Sequence, residues 1–328
     1  MSRVKAASSP ASPPLTSGSV GVMVEKRRHR SDRCRLISVS AVCTRGERLH
    51  KIRDRPSQQF LSLAQLRSLP IPITDEAYMQ RVVDILSAYD DLIENNRRQI
   101  KLLEEAAQRL YREWFVELRF PGHEDVKIVD EVPEGWRVET IGNICCTIGG
   151  GTPSTKEKSY YEGGNIPWVT PTDITRNGCL ILLETEKKIT KEGLAHSSAK
   201  MVPAWAILMT SRASVGYFGM CEFPVCTNQG FISCIPHQEN MRFYMLHNIM
   251  RRVDEIRAKA GGSTYLEISK STFRDMKIIV PADEILKSFD ESIQMLMIKT
   301  KNCKEQIRIL TDTRDRLLPK LMSGETEV

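Results

Sequence analysis

The chain has 328 residues, of which 41% are hydrophobic and 27% charged, with a formal net charge of +6. That length holds about two domains of ordinary size, and the composition is that of a soluble globular protein. No apolar run reaches the roughly 18 residues of a membrane span, and the opening MSRVKAASSPASPPLTSGSV lacks the apolar stretch of a secretory signal, so a cytoplasmic protein with no membrane partner is expected.

Residues 1–59 read as a basic tail. Residues 1–70 hold 14 Lys and Arg against 4 Asp and Glu, so the positive excess lies there and the rest of the chain is slightly acidic. KRRHRSDRCR at 26–35, behind Ser/Pro clusters, has the composition of a disordered, solvated arm. Contact with nucleic acid is the functional alternative for such an arm.

An internal repeat begins at residue 60. Sliding the chain by 207 residues aligns FLSLAQLRSLPIPI (60–73) with EISKSTFRDMKIIV (267–280), and the match runs without gaps to Phe115 and Met322 with nine identities. A repeat reports architecture directly. Each copy, 60–120 and 267–325, opens with a short extended run and becomes helical. Leu86, Ile93, Ile100, Leu103 and Leu110 in the first copy fall on an a/d seam, as do Ile293, Leu296, Ile307, Leu310 and Leu317 in the second, where Thr300 and Arg314 weaken it. Two long helices paired as an antiparallel coiled coil are predicted; the other reading is a pair of core helices in one globular domain, which have a wider apolar face.

Residues 132–266 are different in kind. Short apolar runs, WAILMTS (205–211), GYFGMCEF (216–223) and GFISCIP (230–236), alternate with Gly, Pro and Asn, which reads as strands and loops. One helix is expected over 241–260, stopped by Gly261 and Gly262. The fold class is therefore α+β, one mixed α/β domain flanked by two long helices. The stretch GGGTPSTKEK at 149–158 resembles a phosphate cradle, but no Gly-Lys pair occurs in the chain and the breaker-rich segment behind it does not open a helix, so a P-loop is excluded. Nine cysteines, an odd number that includes the vicinal Cys145 and Cys146, argue for reduced thiols. The spacing of Cys221, Cys226, Cys234 and His237 fits no zinc pattern, and buried strand thiols are expected instead of a metal site.

PEGWRVETIGNI (133–144), GGTPS (150–154), IPWVTPTDI (166–174), KIT (188–190), AKMVP (199–203), ILMTSRASVG (207–216), TNQGFI (227–232) and GGSTYLEISKS (261–271) stand in the order seen in specificity subunits of Type I restriction-modification systems. The middle domain resembles their target recognition domain and the helices resemble their conserved spacers, over about residues 57–325. The resemblance implies a subunit that reads double-stranded DNA and binds methyltransferase and motor-nuclease subunits. S-adenosylmethionine, ATP and Mg are implied only for those partners, and no cofactor for this chain. A full family member has two recognition domains, whereas 59 residues precede the first repeat here, so a shortened or frameshifted gene is one expectation. A homodimer reading an interrupted palindrome, or a second specificity chain, would then supply the other half-site.

No catalytic residue is expected. The chain has no F-x-G-x-G loop, no Asn-Pro-Pro-aromatic tetrad, no Walker pair and no D…E-x-K set; Asp283, Glu284 and Lys287 do not form one. Candidate DNA contacts are Thr152, Ser154, Thr155 and Lys156 on a loop whose glycines permit positive φ and close backbone approach. Ser211 and Arg212 lie in a turn, where the arginine either grips guanine O6/N7 or phosphate, or forms an internal salt bridge. Thr227, Asn228 and Gln229 are read as a loop between strands, able to pair adenine or to stitch buried backbone. Thr264 and Tyr265 follow a Gly-Gly stop and offer a hydroxyl and a ring. Trp168 and Trp205 are read as core. The alternative function is a remnant or regulatory coiled-coil protein that binds the methyltransferase without specifying a site.

Overall fold

The computed structural model describes residues 75–262, 265–323 and 325–326, so the basic tail, the opening run of the first repeat and Thr264 lie outside the described residues. The chain divides into two compact units, Met1–Val83 with Val328, and Asp84–Glu327. Of the first, only the opening turns of a helix are described; the strands and the cores belong to the second.

In chain order, helix α1 (Glu76–Phe115) is followed by a small hairpin, β1 (Ile128–Val129) with β2 (Val132–Pro133), then β3 (Arg137–Thr140), the one-turn helix α2 (Ile141–Ile144) and β4 (Cys145–Gly149). Next come β5 (Ile166–Val169), α3 (Pro171–Asn177), β6 (Lys187–Ile189), α4 (Lys191–Ala195), β7 (Met201–Val202) and β8 (Ile207–Thr210). β9 (Phe218–Gly219), β10 (Val225–Thr227), β11 (Phe231–Pro236), α5 (Arg242–Arg251) and α6 (Val253–Lys259) lead to α7 (Lys270–Arg274), β12 (Lys277–Val280) and α8 (Asp283–Ser323).

The apolar runs are continuous because their strands are buried on both faces. β8 sends Ile207 and Met209 into the main core with α5 and α8, and Leu208 into a second core with Val202, Val225 and Phe231. β11 alternates in the same way, with Ile232 and Cys234 on one side and Phe231 on the other. These strands belong to an antiparallel sheet in the order β4-β11-β8-β9, and a second sheet runs β6-β5-β10-β7 with β5 and β10 parallel. β12 of the second repeat pairs antiparallel with β3.

α1 and α8 are 40 and 41 residues long, about 60 Å at 1.5 Å per residue, and Glu76 and Asp283 begin them at the offset of the internal repeat. Asp90 meets Arg314 at 2.6 Å, the Cys303 thiol lies 3.8 Å from the Gln99 amide oxygen, and the Tyr111 and Phe289 rings are 6.2 Å apart. One number rises as the other falls, which makes an antiparallel pair. Leu86, Ile93, Ile100 and Ile293 are buried, while Leu103, Leu110, Leu296, Ile307, Leu310 and Leu317 are half-buried. The weak seam positions are both accommodated: the Thr300 hydroxyl donates to the Leu296 carbonyl at 2.9 Å, and Arg314 carries the ion pair to Asp90.

Both expectations for the helices hold, in different stretches. From Leu286 to Met297 the stripe of α8 widens, with Leu286, Phe289, Asp290, Ile293 and Met297 all buried, because this half of the helix packs into the main core of the mixed domain. The architecture is α+β, one mixed domain on two long antiparallel helices.

The single helix expected over 241–260 is two. It breaks at Arg252 (φ −97, ψ 19), whose guanidinium donates to the Lys277 carbonyl at 2.7 Å and to Glu255 at 2.8 Å. α5 continues through the core on Phe243, Tyr244, Leu246 and Ile249, while Arg257 of α6 donates to the Val215 carbonyl at 3.0 Å. Two different anchors replace one straight axis.

Candidate nucleic-acid interface

Segments distant in sequence converge on one shallow pocket of about 320 Å³ lined by Pro171, Arg212, Ala213, Asn228, Gln229, Gly230 and Tyr265. Pro171 opens α3, where the Asp173 carboxylate accepts from the Thr170 amide at 2.8 Å and the Thr170 hydroxyl at 2.6 Å. A proline at N1 behind such a cap is a strong helix start.

Arg212 sits on a turn locked from both sides. The buried Thr210 hydroxyl donates to the Ser214 carbonyl and accepts from the Tyr217 amide at 2.9 Å, and Ala213 takes a positive φ of 61°. The segment at 266–268 runs antiparallel across this turn: the Ala213 amide donates to the Leu266 carbonyl at 2.8 Å and the Ile268 amide to the Ser211 carbonyl at 3.0 Å. That lays Glu267 against Arg212, with Nε and Oε2 3.6 Å apart and both side chains about half exposed. Gly262 (φ 128) turns the chain so tightly that a Cβ there would lie 2.1 Å from the Tyr265 carbonyl oxygen, and Tyr265 is left 60% exposed at the pocket.

The side-chain oxygens of Asn228 and Gln229 both accept hydrogen bonds from within the protein. Asn228 Oδ1 accepts from the Gly230 amide at 2.9 Å, and since a backbone N–H can only donate, this fixes the amide with its oxygen toward Gly230 and its NH₂ turned the other way. The Gln229 amide oxygen accepts from the Thr152 hydroxyl. Arg212 and the two amide NH₂ groups therefore offer donors at the pocket, beside a Tyr265 hydroxyl that can donate or accept, and donors suit guanine O6/N7 or phosphate oxygens. For the two-bond adenine contact the Asn228 oxygen would have to share its second lone pair with the base while still holding Gly230.

Several sequence expectations are corrected by this geometry. Gly149, Gly150 and Gly151 are not among the residues with positive φ. The value of Gly150 and Gly151 is close packing inside the protein: a Cβ on Gly150 would lie 2.1 Å from the Asn228 carbonyl oxygen, and one on Gly151 would lie 2.3 Å from the Ser198 hydroxyl. Thr227 is not in a loop but ends β10, fully buried, its hydroxyl without a hydrogen-bond partner among the described residues. Ser211 is buried too, its amide donating to the Gly230 carbonyl at 2.7 Å, so both residues support the site from beneath. Ser154, Thr155 and Lys156 are exposed on the loop behind β4 and do not line the pocket. Trp168 is core, its indole donating to the Gly151 carbonyl at 3.0 Å.

Sequence reasoning missed Ala213, the neighbour of Arg212 in the chain, and Pro171 and Glu267, which only the fold brings to the site. It also missed Lys270, whose ammonium nitrogen lies 3.1 Å from where a Cβ on Gly149 would be. A second unforeseen group fixes the mixed domain to the helices. Glu104 of α1 accepts from the Leu180 amide at 2.6 Å, and Lys304 of α8 donates to the Asn177 carbonyl at 2.6 Å. Burial raises the Glu104 pKa, opposed by the Leu180 amide and by Lys304. Nearby, burial pushes Tyr111 up to about 12 against its hydrogen bond from Asn248, and holds His247 down at about 4.

Among the described residues no group of three or more His, Cys, Asp or Glu is placed to hold a metal ion. Cys221 and Cys226 are buried thiols, raised by that burial to about 12. No described helix is long and apolar enough to cross a membrane.

Residues 133–307, more than half of the chain, match the Type I restriction modification DNA specificity domain. The chain belongs to that family. It is 33% identical over 191 residues to the Type I restriction enzyme MjaIX specificity subunit of Methanocaldococcus jannaschii, covering 56% of this chain and 42% of the relative. It is 26% identical over 328 residues to the HindI specificity subunit of Haemophilus influenzae, covering 81% of this chain and 71% of that one. This specificity-domain chain thus spans less than half the length of the first relative. Its fold is similar to the S subunit of a Type I restriction-modification system from M. genitalium, with a TM-score of 0.56 at 16% identity over 88% of this chain and 72% of that one.

Proposed function

We propose that this chain is a sequence-specific DNA-binding subunit of a Type I restriction-modification system, without catalysis of its own. The observation that carries the reading is the pocket itself, where Arg212, Asn228, Gln229 and Tyr265, from three separated segments, present donors on one surface. Direct readout of a base edge needs such convergence on a rigid scaffold. Family membership and the specificity-subunit relatives support it. On this reading α1 and α8 carry the methyltransferase subunits and, through them, the motor-nuclease subunits. S-adenosylmethionine, ATP and Mg belong to those partners, and the complex acts in the cytoplasm. Of the candidate contacts, Thr152 acts through Gln229, the exposed Lys156 serves phosphate, and Thr227 and Ser211 are scaffold.

The test is to map methylated bases genome-wide in cells carrying this chain with its cognate methyltransferase. A defined site that disappears in the Arg212→Ala, Asn228→Ala double variant supports the reading. Two inverted identical half-sites would indicate a homodimer, and an asymmetric bipartite site a second specificity chain. Absence of any site-specific methylation would sink it in favour of a remnant.

A further inference from the structure

Glu267 is the acidic residue laid against the pocket's arginine. Its backbone bridges both Arg212 and Gly261, so the carboxylate is held at the site by main-chain pairing as well as by its ion pair. The pair runs from Arg212 Nε to Oε2 at 3.6 Å on a side chain that is 45% exposed, and among the described residues the two terminal nitrogens have no hydrogen-bond partner, which leaves them as a fork.

We propose that Glu267 determines specificity by buttressing Arg212, offsetting its charge so that the fork is used on a guanine O6/N7 edge rather than on phosphate. The inference rests on the proposed reading of the pocket as a DNA site. An unaccompanied arginine on a DNA-binding face gains from any phosphate, because it releases condensed counterions whatever the sequence. With Glu267 beside it the local net charge is near zero, and that sequence-independent gain falls. The guanine edge is a pair of neutral acceptors recognised by geometry, and two parallel N–H donors satisfy it without needing a free positive charge. The carboxylate also restricts the rotamers of a long side chain, so less freedom is lost when the fork meets the base. The donor character of Asn228 beside it favours the same acceptor-rich edge.

The experiment compares binding of the full chain, assembled with its methyltransferase, to a duplex carrying the mapped site and to a scrambled duplex of equal length, from low to moderate salt. Glu267→Gln keeps the size and one acceptor oxygen and removes the charge. It is expected to tighten scrambled-duplex binding several-fold, steepen that duplex's log–log salt slope by about one, and reduce the ratio of specific to scrambled affinity about ten-fold. Glu267→Asp should keep the wild-type ratio, and Glu267→Gln should have no effect once Arg212 is alanine. If Glu267→Gln leaves ratio and slope unchanged, or weakens both duplexes equally, while Arg212→Ala still loses the specific site, the buttress is refuted and the pocket stands. If Arg212→Ala binds the specific site as wild type does, the pocket reading itself fails.

Discussion

Replacing Gly150 by alanine adds one methyl group where the fold has no space for it. The new Cβ would lie 2.1 Å from the Asn228 carbonyl oxygen, 2.2 Å from that of Thr227 and 2.3 Å from the Thr227 hydroxyl. Two of these are backbone atoms, which cannot swing aside, so the chain at 149–151 must move by about 1 Å to restore ordinary contact. That movement strains the hydrogen bond from the Gly151 amide to the Thr227 carbonyl, now 2.9 Å. Overpacking costs about 1–3 kcal/mol, and loss of one buried backbone bond adds about 1–3 kcal/mol. Gly150 is not among the positive-φ residues, so alanine returns about 0.4–1 kcal/mol by restricting the unfolded chain. The net loss is about 3 kcal/mol, which lowers Tm by about 6–12 °C in a unit of this size. Calorimetry of the variant beside Gly261→Ala checks it, since a Cβ on Gly261 meets nothing within 4 Å. The displaced carbonyl belongs to Asn228, so specific DNA binding should weaken as well. A Gly150→Ala protein melting within a degree of wild type would refute the close-packing account of this glycine.

His247→Phe tests the buried imidazole, whose two nitrogens have no hydrogen-bond partner among the described residues. Its pKa of about 4 against an ordinary 6.5 means that its contribution to stability is present above pH 6.5 and is lost as the pH falls toward 4, by about 3 kcal/mol in all. Denaturant titrations across that range should show a shallower acid decline in the phenylalanine variant, and parallel curves would exclude the histidine as the cause. Leu103→Pro removes a backbone donor in the middle of α1 at a cost of about 3 kcal/mol. It should abolish pull-down of the methyltransferase, and undiminished capture would show that α1 is not the docking element.

The long helices were legible because a seven-residue apolar pattern and a 207-residue repeat are properties of the chain itself. Strands were legible as apolar runs, but not their order, since β4 beside β11 and β5 beside β10 are pairings between distant segments. The glycine run shows the limit sharply. Glycine is required both where φ is positive and where another backbone comes too near for a side chain, and the sequence does not separate the two; at Gly150 and Gly151 it is the second. Asn228 and Gln229 were recognisable as polar residues near a site, but a sequence does not reveal that their oxygens are already engaged by Gly230 and Thr152. An internal salt bridge was one of the two readings of Arg212, but Glu267 is far from it in sequence and neither segment names it as the partner that the antiparallel bridge supplies.

The short helix α3 joins the two surfaces that the proposed function requires. Its first residue, Pro171, lines the pocket, and the carbonyl of its last, Asn177, accepts from Lys304 on α8. Seven helical residues rise about 10 Å. The element is closed at both ends, by the Thr170–Asp173 cap and by Gly178 at φ 73, and the second Asp173 oxygen accepts from the Glu186 amide at 2.8 Å. Asn177 adds bonds of 2.7 Å to the Cys179 and Ile181 carbonyls, so the turn that meets Glu104 and Lys304 is held from within. A pocket whose wall begins the helix that ends on the long helical pair takes its orientation from that pair. On the proposed function, a base edge held by Arg212 would then stand at a fixed place relative to whatever docks on α1 and α8, and fixed placement is what that function asks of the chain.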